Sequence, residues 1–205
     1  MGTYLREQAI EAIARNVLKA YDDALLRPNG GAVPVLDIAD KLLKLEVEYQ
    51  YIRNNGRILG ETVFRDTMVP LYNEDEKQYE LVFMPAGTVI LDGSLLSKGC
   101  EGRLRYTLAH EIGHWVLHQP VYSSMTISTA AMSAEKSSED DPALERQADM
   151  LAAALLMPLG SLKGAFYALR PQYAGDKLVA ELAHTFQVSQ QAMAIRLRSH
   201  GLICK

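Results

Sequence analysis

Five residues carry most of the chemistry this sequence can perform: His110, Glu111 and His114, then Glu145 and Asp149 further along. His110-Glu111-Ile112-Gly113-His114 has the form HExxH. On a helix, four residues advance about 400°, so two such imidazoles share a face about 6 Å apart along the axis. Both can then reach one zinc ion at about 2.0–2.1 Å. Glu111 directly follows the first histidine and is placed to act as general base toward a water on that ion. A catalytic zinc needs a third protein ligand and one open position. Glu145 supplies the third ligand, and Asp149, one turn later, can orient a ligand histidine by accepting its other ring N–H.

Each of these residues also has a plainer explanation. The histidines could be two solvated side chains on a helix surface. Glu145 could be an acid favoured by the dipole of a helix's first turn. Asp149 could pair with Arg146 or a distant base. His118 continues the four-residue series but lies too far along the axis to share the metal on a straight helix. It reads as structural, as a support for a ligand, or as a substrate contact. Tyr106, one turn before His110, reads as core. With His118 and His184, it is also a candidate for stabilising an oxyanion.

The elements that must position these residues follow from periodicity and punctuation. Helices are predicted over 4–26, closed by Pro28-Asn29-Gly30-Gly31, and over 35–45, with Leu36, Ala39, Leu42 and Leu43 on one face. Strands are predicted over 46–53 and 57–65, joined as a hairpin through Asn54-Asn55-Gly56. A second hairpin joins 79–84 to 88–91 through Pro85-Ala86-Gly87. The HExxH helix is predicted over 103–119, amphipathic, with Leu108, Ile112, Trp115 and Val116 opposite the histidines and Pro120 as its stop. Residues 122–139 read as a mobile loop rich in Ser, Thr, Ala and Met. Asp141 and Pro142 open the helix bearing Glu145, and Pro158 closes it. Two last helices, 176–186 and 189–199, have helix-turn-helix character, with Gly201 as the stop. DNA binding would want basic residues on the second of them. Arg196 and Arg198 are present, but its first turn is Gln190-Gln191, so packing against the catalytic core is expected instead.

The 205 residues, 48% hydrophobic and 22% charged, are a globular composition that excludes disordered and fibrous classes. A net charge of −4 gives no general attraction to nucleic acid or anionic lipid. Cys100 and Cys204 lack CxxC spacing, which fits a reducing compartment and argues against a thiolate site. No signal peptide is read at the N-terminus, and the apolar run 150–159 is too short to span a bilayer. The expectation is a cytoplasmic protein without a membrane partner.

The segments RYTLAHEIGHWVLH (105–118), LERQADMLAAALLMP (144–158) and LAHTFQVSQQAMAIRL (182–197), with VPVLDIADKLLKLEVEY (33–49), resemble the ImmA/IrrE family of metallopeptidases. The stretch 121–140 is longer than such proteins usually carry. The resemblance implies zinc (Zn2+) on His110, His114 and Glu145 and a catalytic Glu111. It also implies a protein substrate that is a DNA-binding repressor, in a bacterial or phage setting. The expected fold is α+β: a zincin-like core over 1–160, with a small, mostly antiparallel sheet packed on the HExxH helix, and a C-terminal helical subdomain over 161–205 packed on that core. The strand 88–91 is expected to offer an edge to an extended substrate. A narrow target is expected, since an intracellular protease cutting any exposed strand would be harmful. The rival reading is a regulator that keeps zinc without proteolysis and binds protein or DNA through its last helices.

Overall fold

The structure is a computed structural model that describes residues 5–52, 58–123 and 141–204. The Asn54-Asn55-Gly56 turn and nearly all of the 122–139 stretch lie outside the described residues. The order is α1 (Glu7–Tyr21), a 3-10 turn (Asp23–Leu26), α2 (Val35–Asp37, continued as a π-turn over Ile38–Leu42), then β1 (Glu46–Gln50), β2 (Gly60–Val63), β3 (Thr67–Asn73), β4 (Gln78–Met84) and β5 (Thr88–Asp92). After a 3-10 turn (Gly93–Leu96) come α3 (Glu101–Ser123), α4 (Pro142–Leu156), α5 (Leu159–Leu169), α6 (Gly175–Phe186) and α7 (Gln190–Ser199). This is an α+β fold.

Both expected hairpins are replaced by other pairings. β1 and β2 do not pair; β5 lies between them, parallel to β1 and antiparallel to β2. β4 pairs with β3, antiparallel, with Val69 opposite Val82. The result is a mixed three-stranded sheet, β1-β5-β2, and a separate two-stranded ribbon, β3-β4. The reason lies in β5, whose five residues are all buried. A strand covered on both faces and paired on both sides gives the lowest free energy to an unbroken apolar run such as Val89-Ile90-Leu91. β5 is therefore the central strand and offers no edge to a substrate; the edges of that sheet are β1 and β2. β3 contains Pro70, which cannot donate to a ladder, and is tolerated because each strand of a two-stranded ribbon has an open side.

Two helices also differ from expectation. In α2, Val35, Ile38 and Ala39 face the core, while Leu36 is exposed, because the π-turn shifts the buried stripe. α3 runs through Pro120 to Ser123. Its last turn is anchored by Tyr122, which stacks on Phe64 at 4.3 Å, while Phe64 stacks on Trp115 at 5.8 Å. Nor is α3 amphipathic. Leu108, Ala109 and Ile112 are buried, and so are Glu111, His114 and His118, because the helix is sandwiched between β2 and β5 on one side and α4 on the other.

The remaining elements follow local rules. Ile10, Ala14 and Leu18 form the buried stripe of α1. Asp141 caps α4 by accepting from the Ala143 N–H at 2.9 Å, with Pro142 in its first turn. The last helices contribute Leu182, Phe186, Met193 and Leu197 to the core that holds Leu108 and Leu151. Arg196 is buried in that contact, with its guanidinium donating to the Met157 carbonyl at 3.1 and 3.3 Å and paired with Glu11 at 2.5 Å. Of the two arginines read as possible phosphate contacts, only Arg198 is exposed. Among the described residues, no single helix is long and apolar enough to cross a membrane.

Candidate metal centre

α3 and α4 together build the site. Their approach is set by Gly113: a Cβ there would lie 2.9 Å from both the Cα and the carbonyl oxygen of Ala148 on α4. Only a residue without a side chain permits that spacing. The spacing brings Glu145, three residues before Ala148, up to the two histidines. His110 Nε2 and His114 Nε2 are 3.0 Å apart; Glu145 Oε2 is 3.2 Å from the first, and Glu145 Oε1 is 3.1 Å from the second. Glu145 Oε1 is buried and has no hydrogen-bond partner, although a ring nitrogen is this close. Donor atoms that converge on a shared point without aligning on one another are what a single cation requires. Bonds of about 2.0–2.1 Å in a tetrahedral set would hold ligand atoms roughly 3.3 Å apart. The donor set of two imidazoles and one carboxylate thus fits zinc in chemistry and in spacing.

Surrounding groups fix the ligands. His110 Nδ1 lies 3.0 Å from Asp149 Oδ1, which also accepts from the Tyr106 hydroxyl at 3.4 Å. A proton on Nδ1 leaves the Nε2 lone pair for a metal. Asp149 is not buried on an apolar face; its side chain is 56% exposed, against 27% for Glu145. His114 Nδ1 lies 3.1 Å from His118 Nδ1, so His118 supports the His114 ring. Burial, reinforced by the neighbouring His114, pushes the His118 imidazole down to about 4 and keeps it neutral.

The charged groups of the site form an ion-pair network. For His110, burial opposes the charge, but hydrogen bonds to Asp149 and Glu145 overcome it and push the imidazole up to about 10. Burial likewise opposes ionisation of Glu145, and the two imidazoles outweigh it, holding the carboxyl down at about 2.

Glu111 is 5% exposed and faces β2. The Thr62 hydroxyl donates to its Oε2 at 2.6 Å, and Gly60 leaves room for the side chain, since a Cβ at 60 would lie 2.6 Å from Oε1. Sequence reasoning passed over Gly60, Thr62 and Gly113. A glycine inside a helical pattern does signal close backbone approach, so Gly113 was discoverable; Thr62 carried no such signal. Tyr122 was missed as well. It belongs to α3, and burial, then the charges of Glu145, Asp141 and Glu111, push its hydroxyl up to about 12. His184 is exposed on α6 and is not among the residues gathered around the site.

Comparison with known proteins agrees with this architecture. Among curated proteins nothing matches the sequence. A solved structure of a Mycobacterium tuberculosis transcriptional regulator is similar, with a TM-score of 0.50 and 16% identity over 95% of this chain. That likeness speaks for the fold alone, and the chain spans only 56% of the regulator's chain. Residues 97–198 match the model of the IrrE N-terminal-like domain, Peptidase_M78, a stretch of about half the chain that holds all of α3, all of α4 and the converging groups of His110, His114 and Glu145. By that match and by the motifs at 105–118 and 144–158, the chain belongs to the ImmA/IrrE family.

Proposed function

We propose that this protein is a zinc-dependent endopeptidase that hydrolyses a peptide bond in one protein partner, a DNA-binding repressor. The observation that carries the reading is the convergence of His110, His114 and Glu145 donor atoms within 3.0–3.2 Å beside a buried Glu111. Zinc bound there would polarise the scissile carbonyl and make a water acidic enough to attack near neutral pH. Glu111 takes the proton of the attacking water and delivers it to the departing amine. Thr62 holds that carboxylate in place through its hydroxyl. Asp149 and His118 hold the two imidazoles in orientation. An extended substrate would add to the β2 edge of the sheet, since β2 bears Thr62 and touches α3.

The repressor as substrate and the cytoplasm as compartment rest on the family resemblance and on composition. A second reading, a regulator that does not cleave, draws support from the transcriptional regulator of similar fold, whose chain extends well beyond the matched part. A structural zinc needs no neighbouring base, so the buried, hydroxyl-supported Glu111 favours the enzyme. The two separate in Glu111→Gln, assayed beside wild type on candidate repressors. The enzyme reading expects normal zinc content and nearly complete loss of cleavage. Cleavage by the variant at the wild-type rate would remove Glu111 from its role. A wild-type protein that binds a repressor and leaves it intact would establish the regulator.

A further inference from the structure

The β3-β4 ribbon has one buried face and one that is apolar and exposed. Its register places Met68 opposite Phe83, Pro70 opposite Leu81 and Tyr72 opposite Tyr79 on a single face. The other face, with Val69, Leu71 and Met84, packs on Ile52, Ile58, Val63 and Ile90. On the open face Met68 is 50% exposed, Tyr79 54%, Leu81 67% and Phe83 59%. Those four side chains leave a stripe of roughly 450 Å2, taking about 200 Å2 for each. The largest apolar patch on a monomer is commonly about this size and is often functional. A two-stranded ribbon needs only one apolar face to fold, so the outer face is unexplained by stability.

Charge defines what the stripe would hold. Glu74, Asp75 and Glu76 crowd the ribbon tip, where the stripe ends at Tyr79, against Lys77 alone. Glu80 lies opposite Leu71 on the other face of the ribbon and accepts from the Asn73 side chain at 2.8 Å. The ribbon is also joined to the metal centre. β2 carries Thr62 to Glu111, Phe64 stacks on Trp115 next to His114, and the ribbon base is tied down by Ala86 N–H donating to Asp66 at 2.9 Å.

We infer that the outer face of the β3-β4 ribbon is a docking site for a segment of the protein substrate that combines apolar with basic residues, anchored away from the scissile bond. The inference rests on the peptidase reading and deepens it. The stripe takes the apolar side chains, the acidic tip takes lysine or arginine, and the chain continues toward the β2 edge. DNA-binding proteins are rich in such segments, and selectivity would then come from this anchor and not from the backbone pairing at the metal.

The test is binding without turnover, using the full chain carrying Glu111→Gln and three fluorescein-labelled peptides. One alternates leucine with lysine, one leucine with glutamate and one leucine with serine. Fluorescence anisotropy should show tight binding of the lysine peptide alone, weakening as salt rises. Leu81→Ser with Phe83→Ser should weaken it at least about tenfold. Asp75→Lys with Glu76→Lys should weaken it about tenfold and flatten the salt dependence. All four residues are exposed, so circular dichroism should match wild type; were the serine pair to unfold, the lysine pair decides. Equal binding of the three peptides, or wild-type binding by both double variants, overturns the inference. So does a dimer in sedimentation that the serine pair abolishes, because the face would then belong to a second copy. Zinc and hydrolysis play no part in this assay. Selective binding by a protein that proves unable to cleave would therefore sink the peptidase and leave the docking site standing.

Discussion

Gly113→Ala tests the geometry of the site without touching a donor atom. The added methyl would meet the Ala148 Cα and carbonyl oxygen at 2.9 Å. Ordinary carbon contacts begin at about 3.5 Å, so α4 must retreat by roughly 0.6 Å. Both clashing atoms are backbone, so no rotamer change relieves them, and Ala148→Gly should not rescue the variant. Glu145 rides on the same helix and moves with Ala148. Zinc sites tolerate departures of only about 0.2 Å in ligand distance, so a shift of this size costs the third ligand. Stability changes less than affinity. Overpacking costs about 1–3 kcal/mol, and replacing a helical glycine by alanine returns about 1 kcal/mol, leaving a net destabilisation of about 0–2 kcal/mol. We expect zinc affinity, measured by competition with a chromophoric chelator, to fall at least about tenfold, with metal-free thermal unfolding only slightly altered. Wild-type zinc affinity in a folded Gly113→Ala protein would refute the claim that this glycine sets the reach of Glu145.

The remaining predictions concern the groups around the ligands. His110→Ala, His114→Ala and Glu145→Ala should each abolish tight zinc binding, whereas Asp149→Asn should weaken it about 10- to 100-fold; full occupancy in Glu145→Ala would show that the third ligand lies elsewhere. Thr62→Val should retain zinc and lower kcat about tenfold, because the Glu111 carboxylate loses its 2.6 Å donor; an unchanged kcat would make Thr62 a packing residue only. Zinc must displace the proton that Asp149 and Glu145 hold on His110 up to about pH 10, while Glu145, held down at about 2, is already ionised. Affinity should therefore rise with pH, about tenfold per unit through neutrality, with about one proton released per zinc; titration calorimetry in buffers of different ionisation enthalpy measures this, and a pH-independent affinity would contradict it.

The metal constellation was legible in the sequence because helical periodicity is rigid. Residues 110 and 114 must share a face, and the first turn of a later capped helix carries a carboxylate that can complete their set. The cap at Asp141 was local as well, satisfied by a backbone amide two residues away. The partners of the strands were not local. Asn-Gly and Pro-Ala-Gly turns suggested neighbouring strands, yet pairing was decided by which strand could be covered on both faces. The unbroken apolar run of β5 was the clue, and it outweighed turn chemistry. The same competition placed β5 in the middle and left β2 as an edge of the sheet.

Tertiary structure alone decided the surroundings of the candidate site. Nothing in Gly60, Thr62 or Phe64 marks them in a sequence, because their roles depend on a strand lying against α3 fifty residues later. The burial of Arg196 is of the same kind. A basic residue on a helix-turn-helix-like segment reads as a phosphate contact until Glu11 and the Met157 carbonyl are found around it. The sequence by itself determined which side chains could bind zinc, since that follows from spacing along one chain. How closely two helices approach, which strand lies at an edge and which charges are already paired depend on the sum of many weak contacts between distant segments, and only the folded chain decides them.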